Sequence, residues 1–343
     1  MTRPTVGTRS AVRRPRAPRC VGLLVATLGA VVLSSCSSET VTPASSPVAY
    51  VTLGAGSANP GKVVSPVATT TGAVGRAITV GTLPSALALV PGGRDVVVAI
   101  KAQNELAEVS TSTGRVVHRV EVGLEPDAVA VTPDGRLALV ANFGDDTVTP
   151  VHLDGFAAGP IVAVGRQPAA IAVTPDGSRA LVADYLDGAL TPIALPALTA
   201  GAPVAVGPEP SAVFVSTDGT MALVAGFQTS SVTPVSLPGL VPGAAVAIGS
   251  NPTGIASGVR SPLAWVSGGD GITPLTIATH QVGSLISIGA PAAGLAVAPD
   301  GRVWVCSGND SLVEVDPARS AVVRRVALAG PPSAVVVVPA ATG

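Results

Sequence analysis

The segment 122–141, VGLEPDAVAVTPDGRLALVA, is written again at 164–183 and 206–225, with looser copies starting at Val80, Ile248, Ile288 and Leu328. The glycine of its opening Val-Gly, or its equivalent, recurs at Gly81, Gly123, Gly165, Gly207, Gly249, Gly289 and Gly330. Four equal steps, from Gly81 to Gly249, are followed by two that are shorter by one or two positions. A fixed period of this size restricts a chain to solenoids and propellers. What fills the period decides between them. No window of ten or more residues repeats its apolar positions every 3.6 residues, as a helix requires. Short β-branched runs are cut instead by Gly, Pro and Asp-Gly; around the copy at 164 they cover 161–164, 169–173, 179–182 and 190–193. Four short strands joined by tight turns fill one period, which makes each period one propeller blade.

The two ends of the repeat region fit together. Residues 64–81 align without a gap on 148–165, so the domain opens at the second strand of a unit. The missing first strand stands at the far end, at 333–339. The expectation is a ring of seven blades closed by a blade that both termini share, which removes the free sheet edge of an open array. The span 48–339 falls only two positions short of seven full periods. The Asp-Gly pairs at 134–135, 176–177, 218–219 and 300–301 are expected as hairpin turns with glycine at positive φ. Arg260-Ser261 replaces that pair in the unit starting at Ile248. Pro66, Pro150, Pro192, Pro234 and Pro274 fall inside third strands, where proline requires a bulge or a nitrogen that faces away from the ladder.

Ahead of the repeats, residues 1–35 carry six arginines and no acidic residue, with an apolar run at 21–33. That run is too short to span a bilayer and has the form of a signal-peptide core. It ends in Leu33-Ser34-Ser35-Cys36, which resembles the bacterial lipobox, so Cys36 is the expected lipidation site. Residues 36–47 read as a Ser/Thr/Pro-rich tether and 48–343 as the folded domain. Without 1–35, the 20 basic and 21 acidic groups of the chain become fourteen against twenty-one. A surface of that sign disfavours nucleic acid and anionic lipid as partners. Membrane attachment would therefore come through lipid on Cys36, on the outer face of the cytoplasmic membrane. A monomer is expected. Cys306, within Val303-Trp304-Val305-Cys306, reads as a packed thiol.

The repeated Val-Gly-x-x-Pro, the Ala-Val-x-x-Pro-Asp-Gly run, Leu-Val-Ala-Asn at 139–142 and Tyr50-Val51-Thr52 resemble the YVTN-repeat β-propeller family, over most of the 343 residues. The resemblance implies a seven-bladed propeller, exported or on the cell surface, and no single activity. By that family's strand order, the loops entering first strands and leaving second strands share one mouth of the central channel. The entering set holds Glu125, Arg166, Gln167, Glu209 and Asn251. The leaving set holds Lys101, Asn142, Phe143, Asp145, Asp146, Asp184, Tyr185, Asp187, Phe227 and Asp270.

Phe143, Tyr185 and Phe227 stand one full period apart on three successive blades, in a chain with eight aromatic residues. They form an expected arc for an apolar or planar ligand, or else brace their own loops, as repeated residues in repeat proteins do. Asn142, Asp184, Glu125, Arg166 and Glu209 complete the candidate ligand set. Asp145, Asp184 and Asp187, with Asn142, offer oxygen ligands for calcium. His118, His152 and His280 fall on outer strands of separate units, without metal-ligand spacing. No nucleophile elbow, phosphate loop or haem motif occurs, and no cofactor is expected. The reading that follows is a non-catalytic binding module for a protein or small ligand. The alternative is an enzyme of the propeller lactonase or lyase kind.

Overall fold

The computed structural model describes residues 46–54, 61–259 and 261–340. The chain divides into two units, Met1–Thr40 and Val41–Gly343, and every described residue belongs to the second. The signal segment, Cys36, most of the tether and Arg260 lie outside the described residues.

Seven antiparallel sheets form a seven-bladed β-propeller. Blade 1 is the closing one: Pro332–Val338 is its innermost strand, followed outward by Val48–Leu53, Val63–Ala68 and Ile78–Thr79. Val51 faces Val335 on one side and Ser65 on the other. Both ends of the repeat region therefore share one sheet, as the alignment of 64–81 on 148–165 implies. Blades 2 to 7 open with the inner strands Pro84–Leu89, Pro126–Val131, Pro168–Val173, Pro210–Val215, Gly254–Ser257 and Ala292–Val297. Successive inner strands lie side by side around the whole ring, with Pro332–Val338 between those of blades 7 and 2.

The packing explains the composition. Second strands run in the middle of each sheet and are buried on both faces, so they read as continuous apolar runs rather than alternating ones. Ala138, Leu139, Val140 and Ala141 are fully buried, as are Ala180 to Ala183. One face of each second strand packs against the blade before it and the other against the blade after. Small aliphatic groups let neighbouring sheets approach, so 2% aromatic residues suffice. The four Asp-Gly hairpins form as expected, with Gly135, Gly177, Gly219 and Gly301 at φ of 69–85°. In each, the preceding Asp caps the turn; Asp134 accepts from Thr132 Oγ1 and the Arg136 amide. In blade 6 the first strand shortens to four residues, and Ser261 N reaches back to Gly258 O.

Third-strand proline is accommodated without a bulge against the second strand. Pro150 pairs in register with Leu139, and its carbonyl accepts from the Gly159 amide on the outer side. A residue's N and C=O point to the same side of an extended strand, so the proline nitrogen also faces outward. The outer strand is broken there, into Ala157–Ala158 and Val162–Ala163. The outer strand expected at 161–164 is thus Val162–Ala163, with a second short piece, Ala157–Ala158, across a Pro–Gly contact. The same contact, proline to a glycine nine positions on, recurs as Pro66–Gly75, Pro192–Gly201, Pro234–Gly243 and Pro274–Gly283. A Cβ on any of these glycines would lie 2.7–3.3 Å from the proline ring.

Blades 2 and 7 differ. Glu108 and Glu314 stand at the proline register, opposite Val97 and Trp304. Their outer strands, Arg115–Glu121 and Ala321–Ala327, run unbroken for seven residues with a bulge beside the glutamate. The bulges leave Val117 and Val323 exposed. Glu108 Oε2 lies 2.6 Å from His118 Nδ1. Glu314 accepts from Arg302 Nη1, while Arg324 Nε sits 3.2 Å from Oε2 without hydrogen-bond geometry. These two blades flank the closing blade and hold its backbone. Arg119 donates to Val80 O, and Arg324 donates to Thr69 O and Thr70 O.

Candidate functional site

The mouth is built by one repeated hydrogen bond. The residue that follows each second strand donates its amide to the loop entering the first strand of the same blade. The pairs are Lys101 to Leu83, Phe143 to Glu125, Tyr185 to Gln167, Phe227 to Glu209, Gly269 to Ser250, Gly308 to Pro291 and Gly54 to Pro331, at 2.7–3.1 Å. Entering and leaving loops therefore share one end of the ring. The register also sorts the seven blades. Blades 2 to 5 carry Lys, Phe, Tyr and Phe at this position; blades 6, 7 and 1 carry glycine. The rim is one-sided.

The side chains on the large-residue side touch across blades. Phe143 and Tyr185 have centroids 6.5 Å apart, tilted by 51°. Lys101 Nζ lies 4.9 Å from the Phe143 centroid, within cation–π range. The same ammonium is 3.1 Å from Asp127 Oδ1 and 3.6 Å from Glu125 Oε2. Asp127 is the sole charged residue on the seven inner strands and stands at their mouth end. Tyr185 Oη donates to Glu209 Oε2 at 2.9 Å. Burial first, and then the Glu209 carboxylate, raise the phenol above its ordinary value. Phe227 is half-buried and stacks on no other aromatic ring among the described residues. The sequence arc is thus a tilted pair, Phe143 and Tyr185, with a lysine at one end and Phe227 apart at the other.

The entering loops are held rigidly. Leu83, Glu125, Gln167, Glu209 and Asn251 share one repeat position and all adopt left-handed φ, 47–58°. That conformation costs a non-glycine residue roughly 1 kcal/mol. Three of the five are fastened by the preceding blade. Asn104 Oδ1 accepts from the Glu125 amide, Asp146 Oδ1 from the Gln167 amide, and Ser230 Oγ from the Asn251 amide. Asp145 caps the Leu124 amide. Arg166 is bound twice to Asp187, by its amide and by its Nε, each at 2.7 Å.

Asn142 and Asp184 do not reach the open mouth. Both are fully buried at the ends of their second strands, beneath Gly123 and Gly165. A Cβ on either glycine would fall 2.5 Å from the buried side chain, which is why the Val-Gly of those units needs glycine. Asn142 donates to Thr147 Oγ1 and Thr149 Oγ1; Asp184 Oδ2 accepts from Thr191 Oγ1. Neither Oδ1 has a hydrogen-bond partner. Desolvation raises the Asp184 carboxyl to about 6, against the opposing pull of Thr191 and the facing Gly165 amide. In blade 6 the corresponding residue is Gly268, and a cavity of about 10 Å³, room for one water, lies there instead.

The proposed calcium ligands are not brought together. Asp145 is spent on a loop amide, Asp187 on Arg166, and Asp184 is buried. No group of three or more His, Cys, Asp or Glu side chains positioned for a metal occurs among the described residues. His118 lies on an outer strand, and His152 ends a third strand. His280 occupies a left-handed turn residue rather than a strand. Cys306 is fully buried, and burial pushes its thiol well above the usual range.

One member of the mouth, Asp127, was not placed there from sequence; its signal is that it is the lone charge in a set of otherwise neutral inner strands. Lys101, expected in the leaving set, stands against Phe143 of the next blade.

No protein-family model matches this chain, and no curated protein is similar to it in sequence. Solved structures are similar in fold. A functionally unknown protein from Desulfotomaculum acetoxidans DSM 771 superposes with a TM-score of 0.73 at 15% identity, over 84% of this chain and 98% of that one. The periplasmic gluconolactonase PpgL of Pseudomonas aeruginosa gives 0.70 at 19% identity, over 86% and 99%. A putative 6-phosphogluconolactonase from Bacteroides uniformis gives 0.70 at 17%, over 86% and 100%. At these identities the likeness establishes the class, a seven-bladed β-propeller.

Proposed function

We propose that this chain is a non-catalytic binding module of the YVTN-repeat kind, exported and anchored by lipid on Cys36, which uses the one-sided mouth to hold its ligand. The carrying observation is the asymmetry of a single repeat position. Packing alone gives each blade the same requirement there, since all seven form the same backbone bond. A structural brace would therefore appear on all blades. Among the described residues, large side chains on four consecutive blades against glycine on three make a wall on one side of the mouth, as a ligand site needs. The left-handed entering residues support this reading, because strain kept at a mouth marks positions the fold over-determines.

The mass of the N-terminal peptide of the envelope-extracted protein tests the anchor.

The test of the mouth compares the wild-type ring with Phe143→Ala/Tyr185→Ala as paired baits. Retention of one species by wild type and its loss, at least tenfold, from the double variant is expected. Equal retention by both would sink the reading. The second reading, a lactonase, is favoured by the names of the two lactonase-like structures. Gluconolactone turnover by the mature protein that disappears in Glu209→Gln would replace the binding reading with it.

A further inference from the structure

The mouth presents one set of three repeat positions twice, closed into a seat in the first case and matched in register in the second. On blades 2 and 3, Lys101, Glu125 and Phe143 form the first. Two blades on, Tyr185, Glu209 and Phe227 occupy the same repeat positions, each two full periods further along. Glutamate and phenylalanine are retained; lysine becomes tyrosine. In the first seat the glutamate and the ring close on a cation of the chain's own, Lys101 Nζ, 3.6 Å from Glu125 and 4.9 Å from the Phe143 centroid. In the second seat Tyr185 turns its hydroxyl onto Glu209. No basic side chain lies within ion-pair distance of Glu209 among the described residues.

The charge around the second seat has the same sense. The rim of blades 2 to 5 carries Glu125, Asp127, Asp145, Asp146, Asp187 and Glu209 against Lys101 and Arg166. Both cations are already paired, Lys101 with Asp127 and Glu125, and Arg166 with Asp187. A carboxylate beside an aromatic face attracts ammonium and guanidinium groups. The surplus of carboxylates extends that attraction along neighbouring blades.

We propose that the Tyr185–Glu209–Phe227 seat receives a lysine or arginine side chain from a basic segment of a partner protein, in the manner in which the neighbouring seat holds Lys101. The inference rests on the mouth being the ligand site. A polypeptide segment fits better than a free amine for two reasons. Tyr185, Glu209 and Phe227 are each only half-buried, so the seat is reachable from the rim. The acidic residues also span several blades, further than one small cation reaches.

The experiment uses the mature protein and a fluorescent twelve-residue Gly/Ser peptide carrying three arginines, with anisotropy as the readout at physiological salt. Binding is expected, together with a roughly tenfold loss in Glu209→Gln and in Phe227→Ala, the weight of one charge-assisted or cation–π contact. Tyr185→Lys supplies the chain's own cation to the seat and is expected to abolish binding while leaving the melting temperature unchanged. Equal binding by wild type and Tyr185→Lys would overturn the proposal, since the attraction would then be diffuse charge. So would equal binding of a peptide with three glutamates or three serines. Absence of peptide binding, with bait retention still lost in Phe143→Ala/Tyr185→Ala, would overturn this proposal and leave the mouth reading standing.

Discussion

Removal of residues 332–343 is expected to abolish cooperative folding, although it touches none of the large side chains of the mouth. The deleted segment is the inner strand of the closing blade and pairs along the whole of Val48–Leu53. Val335 and Val338 are buried, and their loss uncovers Ala49 and Val51, both fully buried in the ring. Each buried valine contributes about 1.5–3 kcal/mol. The inner strands of blades 7 and 2 also lose the neighbour between them, and a sheet edge opens. Those contributions together reach the roughly 5–15 kcal/mol that holds a typical domain. Circular dichroism should show a broad, non-cooperative melt for the truncated chain and a sharp one for the full ring. A sharp transition in the truncated chain would contradict closure by the shared blade.

Asp184→Asn is expected to stabilise the protein above pH 6 and to leave it unchanged below pH 4. The folded-state value of Asp184, about 6, lies above the ordinary 3.8. Below pH 4 the group is protonated in both states and has no effect. Between pH 4 and 6 the unfolded chain ionises first, so stability falls as pH rises. Above 6 the penalty is complete, at roughly 2–3 kcal/mol. Asparagine removes it, and blade 3 already shows that the site accepts one, with Asn142 bonded to Thr149 where Asp184 meets Thr191. The melting temperature should rise by roughly 3–6 °C at pH 8. The hairpin carboxylates act in a separate window. Asp176, held near 2 by Thr174 and Ser178, and Asp134 and Asp218, lowered likewise, favour the folded state above pH 4 and lose that effect as pH falls toward 2. A gain in Asp184→Asn that is equal at pH 4 and pH 8 would show that packing, not ionisation, is what the carboxylate disturbs.

Periodicity made most of the fold readable. Blade number, the shared closing blade and the Asp-Gly hairpins follow from spacing, because each repeat solves the same packing problem. Spacing was silent where blades depart from one another. Pro150 and Glu108 occupy one register, yet only the three-dimensional pairing shows that proline breaks the outer strand while glutamate keeps it whole and bulged. Position along the repeat also does not reveal depth. Asn142 and Phe143 are adjacent in sequence, but one is sealed beneath Gly123 and the other faces the mouth. That difference removed Asn142 and Asp184 from the open site. Spacing put Lys101 among the leaving loops, but only the three-dimensional pairing shows it beside Phe143 across a blade boundary.

The central claim is that ligand meets the ring on one side of one mouth. Site-specific photo-crosslinking in cells tests it directly, with a benzophenone amino acid replacing Phe143, Phe227, Gly54 or Gly308 in turn, and Asp218 on the hairpin end. A Cβ added at Gly54 or Gly308 meets no atom closer than 3.5 Å, so these variants should fold. Adducts from Phe143 and Phe227, with none from Gly54, Gly308 or Asp218, are the expected pattern. Adducts from the glycine side or the hairpin end alone would contradict the account.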